Sequence, residues 1–165
     1  MNETIANIKQ RRSVREYLAK PISKQILEEL IDCARQAPSG MNLQPWEFIV
    51  VTQRPKLKAL GEICTHGSFI KDAAACIVVC GKKSEKWVFE DGSAATENIL
   101  VAARSLGIGS CWIAGHPKEY CMQIQDLLKI PVSQVVVAIL PLGYPKDWPT
   151  KQKRALQELL HWEEY

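Results

Sequence analysis

The chain has 165 residues, 47% of them hydrophobic, which is enough for one domain with a sizeable core. With 21 basic and 18 acidic residues the net charge is only +3, and the basic residues are not interleaved with aromatics, so a nucleic-acid partner is not expected. The N-terminal MNETIANIKQRR has no apolar signal-peptide core, and no apolar run nears the roughly 20 residues that span a bilayer. The expectation is therefore a soluble, cytoplasmic protein without a membrane partner.

Ile5 and Ile8 mark a short amphipathic segment, followed by Arg11-Arg12-Ser13-Val14-Arg15. Guanidinium forks match phosphate oxygens two at a time, and Ser13 adds a hydroxyl donor. On these residues alone the pentad reads either as a solvated basic turn or as an anion site. Pro21-Ile22-Ser23 is a helix start with Ser23 as N-cap, and Ile26, Leu27, Leu30, Ile31 and Ala34 recur at helical spacing. That helix ends before Pro38. Pro38 to Pro45 is a breaker-rich loop bearing Ser39, Asn42 and Gln44, either a connector or a ligand-holding loop.

Trp46–Thr52 reads as a strand, Pro55–Ile63 as a short helix and Thr65-His66-Gly67-Ser68 as a turn. Ala73–Cys80 is a strand continuous enough to be buried on both faces, with Cys76 and Cys80 as small hydrophobes. After a polar break, Asp91–Leu106 is a helix apolar nearly all round, which belongs in a core or an interface. Gly107 suits its C-cap. Gly107-Ile108-Gly109-Ser110-Cys111 follows a helix and lacks the GxGxxG spacing, so it is no dinucleotide fingerprint.

Ser110–Ala114 should form a third strand, Pro117–Leu128 a helix opened by Pro117, and Gln134–Leu140 a fourth strand. Pro141-Leu142-Gly143-Tyr144-Pro145 leads into a basic tail with Trp148, Lys151, Lys153, Arg154 and Trp162, helical over Ala155–His161. The alternation of helices and strands, taken alone, suggests a doubly wound parallel sheet. The tail has little of its own to pack against, so it should wrap onto the body or onto a partner subunit. The six cysteines (Cys33, Cys64, Cys76, Cys80, Cys111, Cys121) include no CxxC pair and read as reduced thiols. Cys111, His116 and Cys121 fit no strong zinc spacing, and no metal is expected.

In order along the chain, RRSVREY, a helix ending in APSGMNLQPWEF, ATENILVAARSLGIGSCWIAG and PLGYP with its basic tail resemble the FMN-dependent nitroreductase family. The likeness is to its small single-module branch and covers nearly the whole chain. It implies an α+β, three-layer fold with a mixed, mostly antiparallel sheet flanked by helices. It also implies one FMN-binding domain over 1–165, an intertwined homodimer, and residues 145–165 as an arm onto the partner subunit.

The same resemblance implies site roles. Arg11, Arg12 and Ser13 match the phosphate and ribityl contacts, and Arg15 the cation near flavin N1 and O2, where charge accumulates on reduction. Pro38, Ser39, Asn42 and Gln44 match a loop reaching the partner's FMN. His66 is placed at the pyrimidine edge or is a simple turn residue. Ala114 and Gly115 match the backbone near N5, with Ala114 where some relatives carry Glu. Lys151, Lys153 and Arg154 match the second half of the phosphate site. Trp87 and Phe89 form a reduced lid or belong to the core.

The implied activity carries hydride from NADH or NADPH through FMN to a nitroaromatic, quinone or similar small-molecule acceptor in a ping-pong order. No catalytic side chain is expected, because the flavin carries the chemistry. The alternatives are a dehalogenating or flavin-fragmenting relative, a flavin storage or regulatory protein without turnover, and an FMN-free module with a basic anion pocket.

Overall fold

Two long apolar runs at strand spacing organise the molecule. The computed structural model describes residues 2–165. Its helices are α1 (Glu3–Gln10), α2 (Lys24–Arg35), α3 (Arg54–Ile63), α4 (Val88–Ser105) and α5 (Cys121–Leu128). Its strands are β1 (Trp46–Val51), β2 (Ala75–Lys82), β3 (Gly109–Ser110), β4 (Ile113–Ala114) and β5 (Gln134–Gly143). The sheet order is β1-β2-β5-β3, with β4 on the same flank of β5 as β3, and every pairing is antiparallel. Helix–strand alternation leaves strand direction open, so the doubly wound expectation fails and the α+β reading holds.

The period of two along β2 builds both cores. Ala75, Ile77 and Val79 join a cluster with Leu27, Leu30 and Ala34 of α2 and Ala95, Ile99, Leu100 and Ala103 of α4. Cys76, Val78 and Cys80 face the other way, toward Leu57 and Leu60 of α3 and Ile124 of α5. The sheet is thus the middle of three layers. Each fully buried Leu or Ile contributes roughly 1.5–3 kcal/mol.

Local chemistry sets some element ends. Ser23 Oγ accepts from the Ile26 amide at 3.3 Å and caps α2. Gly107, at φ +71°, ends α4 in the left-handed region.

Three expectations need correction. The third strand is interrupted at Cys111–Trp112 and forms two short pieces, β3 and β4. The helix expected from Pro117 begins at Cys121. The residues before it bend in turns, with Lys118 N donating to Gly115 O and Cys121 N to Lys118 O. The tail helix shrinks to a 3-10 turn at Leu156–Glu158. Residues 151–165 are all exposed, and a short helix without a packing face is marginal in water.

Candidate active site

The basic strap after α1 runs in extended form along the outer flank of β3. Ser13 bridges Ser110 in parallel, and Val14 N donates to Ser110 O at 2.8 Å. Val14 turns inward and is 1% exposed, packed where a Cβ on Gly109 would fall 2.8 Å from it. Alternation then sends Ser13 and Arg15 to the side opposite Val14. Arg11 Nε lies 3.3 Å from Glu97 on α4, with the arginine side chain mostly covered. Arg15 is exposed and its guanidinium stands 5.9 Å from the centre of the Phe69 ring.

The sheet edge beside this strap carries a free amide. Cys111 N donates to Pro141 O at 3.3 Å and Gly115 N to Val137 O at 3.1 Å. Hydrogen-bonded positions alternate along an antiparallel pair, so Ala114, opposite Ala138, is at a non-bonded position with its N–H turned away from β5. Of the two residues of this segment, Gly115 has its amide committed to the sheet, and Ala114 is the one whose amide turns outward. Gly115 keeps a different role, since any Cβ would strike the backbone of Val136 and Val137. Ala114 O points the same way as its N–H and accepts from Tyr120 Oη at 2.5 Å, so the Tyr120 hydroxyl borders this edge. The His66–Gly67 turn packs here too, because a Cβ on Gly67 would meet Ile113 at 3.2 Å.

The Cys111 thiol sits behind this edge. Burial pushes its pKa up, while Arg15, the Ser13 hydroxyl and Arg11 pull it back. Beyond Ala114 the surface becomes aromatic. Phe89 stacks on His116 with centroids 5.2 Å apart and planes 19° apart. With Trp112, Ser93 and Val137 they line a cleft of about 440 Å³. Phe89 and Trp112 are 39% and 37% exposed, so both present ring surface to whatever enters. Trp87 is half-buried against Gly40, so of the two residues Phe89 is the one that lines this cleft.

The Pro38–Pro45 loop is held elsewhere. Gly40 N donates to the buried carboxylate of Asp91 at 3.0 Å, and Gln44 N donates to Ser39 Oγ at 3.0 Å. Met41, Asn42 and Gln44 all have positive φ, at 52°, 57° and 48°. Non-glycine residues in that region store about 1 kcal/mol or more each, a strain found mainly where loops must present groups. The side chains of Asn42 and Gln44 are exposed, as is Pro38. The loop is pinned to the first turn of α4, whereas the strap touches α4 from Glu97 to Arg104, roughly two to four turns further on.

The fold thus brings together Arg11, Ser13, Arg15, His66, Ala114 and Gly115, and leaves the loop residues apart. In the tail, the Lys151 carbonyl accepts from Arg12 Nε at 2.7 Å, while Arg154 pairs with Glu158 at 3.0 Å. Lys153 is exposed. The sequence reading passed over Asp91, Trp112 and the contact of Arg104 with Trp148, and weighed His116 only as a metal ligand, not as the stacking partner of Phe89. Asp91 offered one signal: a carboxylate at the start of an otherwise apolar helix. Among the described residues, no cluster of three or more His, Cys, Asp or Glu is placed to hold a metal ion.

Such a donor set fits a phosphorylated flat cofactor. Cations and a hydroxyl stand at one end, an outward strand amide and Arg15 at the other, and a stacked aromatic pair lies beyond.

Comparison with known proteins agrees. A protein of Archaeoglobus fulgidus, provisionally named NADH dehydrogenase/NAD(P)H nitroreductase, is 46% identical over 154 residues, spanning 89% of this chain and 88% of that one. The FMN reductase [NAD(P)H] of Bacillus subtilis is 27% identical over 189 residues, spanning 99% of this chain and 74% of that one. The structure of an FMN-dependent nitroreductase from Clostridium difficile superposes with a TM-score of 0.92 at 31% identity, covering 98% of this chain and 99% of that one. A family model described as the nitroreductase family matches residues 8–75 and 62–144, and the chain belongs to that family.

Proposed function

We propose that the protein is an NAD(P)H-dependent FMN oxidoreductase that works as a homodimer on small, flat acceptors. The observation that carries this reading is the open edge itself: Arg11 and Ser13 at one end, with Arg15 and the outward Ala114 amide at the other. When bound, FMN supplies the centre that takes up and passes on hydride.

In this reading Arg11 and Ser13 grip the phosphate through charge-assisted hydrogen bonds, with Lys151 and Lys153 closing its far side. Arg15 offers positive charge to the ring end, where its exposed guanidinium favours the more anionic state. The Ala114 amide orients the ring edge, and His66 borders it from the neighbouring turn.

The Phe89–His116 stack and Trp112 support acceptors with a flat aromatic or quinonoid face. Such faces pair in offset stacks worth about 0.5–1.5 kcal/mol beyond the area they bury. One cleft adjoins the edge, so donor and acceptor use it in turn, which is a ping-pong order.

Several exposed surfaces support a dimer. No residue of α1 is buried, and Ile5 and Ile8 are 47% and 55% exposed. The arm carries exposed Leu156, Leu159, Leu160 and Trp162. A groove of about 670 Å³ between α2 and the free edge of β1, lined by Ile22, Leu27, Ile31, Phe48 and Val50, offers such an arm a seat. The strained loop, displaced along α4 from the strap, would complete the site of the second copy.

The test is an absorbance spectrum of the purified protein reconstituted with FMN, followed by anaerobic NADH or NADPH. Flavin bands that bleach within a catalytic timescale and return on adding a quinone are expected. A protein that retains no flavin would sink the cofactor assignment. Flavin that binds but does not bleach would make it a carrier.

A further inference from the structure

The root of the arm is laced to the basic strap. Leu18 N donates to Tyr144 O at 2.8 Å, Lys146 N donates to Glu16 O at 3.1 Å, and Tyr17 bridges Pro145. Trp148 then packs against the cluster of Val14, Tyr17 and Ala73. The Arg104 guanidinium lies 3.7 Å from the centre of the Trp148 ring, and its Nη2 donates to Gln10 Oε1 at 2.9 Å. The last rung is Arg12, whose Nε donates to Lys151 O at 2.7 Å. Its Nη1 donates to Lys9 O at 2.8 Å and to Arg11 O at 2.7 Å. Past Lys151 every residue is exposed, and contacts among the described residues are local, such as Arg154 with Glu158.

A guanidinium that binds phosphate presents two parallel N–H groups to it. Arg12 instead turns Nε and Nη1 to three carbonyls from two separate stretches of chain, which leaves neither of its parallel N–H pairs whole. We propose that Arg12 is a positioning residue that clamps the arm at Lys151, and that it is not a phosphate ligand. The clamp fixes where the arm leaves the body, and so holds Lys151 and Lys153 at the Arg11–Ser13 end of the cradle. The value of that placement rests on the cofactor reading above, but the clamp itself needs no ligand. Lysine keeps the charge while its single nitrogen, on a flexible stem, cannot reproduce the planar fork. Arg12→Lys therefore separates the two roles.

The experiment uses flavin-free, full-length protein. Trypsin cleavage after Lys151, Lys153 and Arg154 is followed by mass spectrometry, beside titrations with FMN and with riboflavin, which lacks the phosphate. A clamp predicts that Arg12→Lys speeds cleavage after Lys151, whose carbonyl Arg12 holds, roughly tenfold before any flavin is added, because proteolysis there follows the population of the opened state. The exposed sites after Lys153 and Arg154 change little. FMN affinity falls as the clamp opens. Cleavage after Lys151 at the wild-type rate, whether or not the preference for FMN over riboflavin is lost, would overturn the proposal. If Arg12→Lys does not fold, Arg104→Lys loosens the same root through Trp148 and should raise cleavage likewise, and an arm as protected as wild type would count against the clamp. Failure of the wild type to bind FMN would remove the cofactor reading and leave the cleavage comparison readable.

Discussion

Gly115 shows how closely single residues are constrained at the open edge. An added Cβ would come within 2.6 Å of the Val137 carbonyl carbon, and backbone atoms cannot rotate aside as a side chain can. Gly115→Ala should thus push β4 away from β5 and misplace the Ala114 amide, at a cost of about 2–3 kcal/mol. Thermal melting by circular dichroism should show a fall of roughly 5–10 °C, and an unchanged midpoint would refute the close approach. Gly107 makes the contrast, since a Cβ there meets nothing within 4 Å and only its φ of +71° resists substitution. Residues of this kind were legible only in part. Arg11 and Ser13 stood out by chemistry, whereas the inward turn of Val14 follows from the pairing of the strap with β3. Which amide of the Ala114–Gly115 pair is free depends on strand register, and register is a long-range property. Arg12 is the same kind of case: its partners include Lys151, far along the chain.

Elements were legible where one period dominated. α2 followed from its three- and four-residue spacing with Ser23 as cap, and β2 from an unbroken apolar run. Elements that depend on neighbours were not. The break between β3 and β4 lies where the strap joins β3 and leaves the Ala114 flank open, a junction with no local marker. β1 is a similar case, because nothing in its sequence says that one side lacks a strand partner. A free edge bearing Phe48 and Val50, the latter 40% exposed, invites pairing with another chain unless something covers it. If the arm of a second copy seats there, Val50→Glu places a charge in the apolar groove and should weaken self-association by at least tenfold, equivalent to about 1.4 kcal/mol. Sedimentation equilibrium on wild type and variant checks this. An identical dissociation constant would move the arm's seat elsewhere.

At the scale of the whole molecule, the question is how many chains build one site. The strap and the Pro38–Pro45 loop meet α4 at different heights, and the loop is held in place by Asp91 and by strained backbone. If each site combines the strap of one chain with the loop of the other, a defect in either part disables both sites of a homodimer. Arg11→Ala removes a charged phosphate contact worth about 1.5–3 kcal/mol. Asn42→Ala removes a loop donor. A heterodimer of the two variants contains one site carrying both defects and one site carrying neither. Random reassortment makes half the dimers mixed, so about a quarter of all sites should regain wild-type FMN affinity. The experiment unfolds and refolds the two purified variants together, then titrates FMN by fluorescence quenching. A tight-binding fraction near that value, absent when either variant is refolded alone, is expected. If the strap and loop of one chain served the same site, mixing would restore nothing, because every chain would bring a damaged site of its own. A titration of the mixture that is the plain average of the two variants would therefore refute a site shared between the chains.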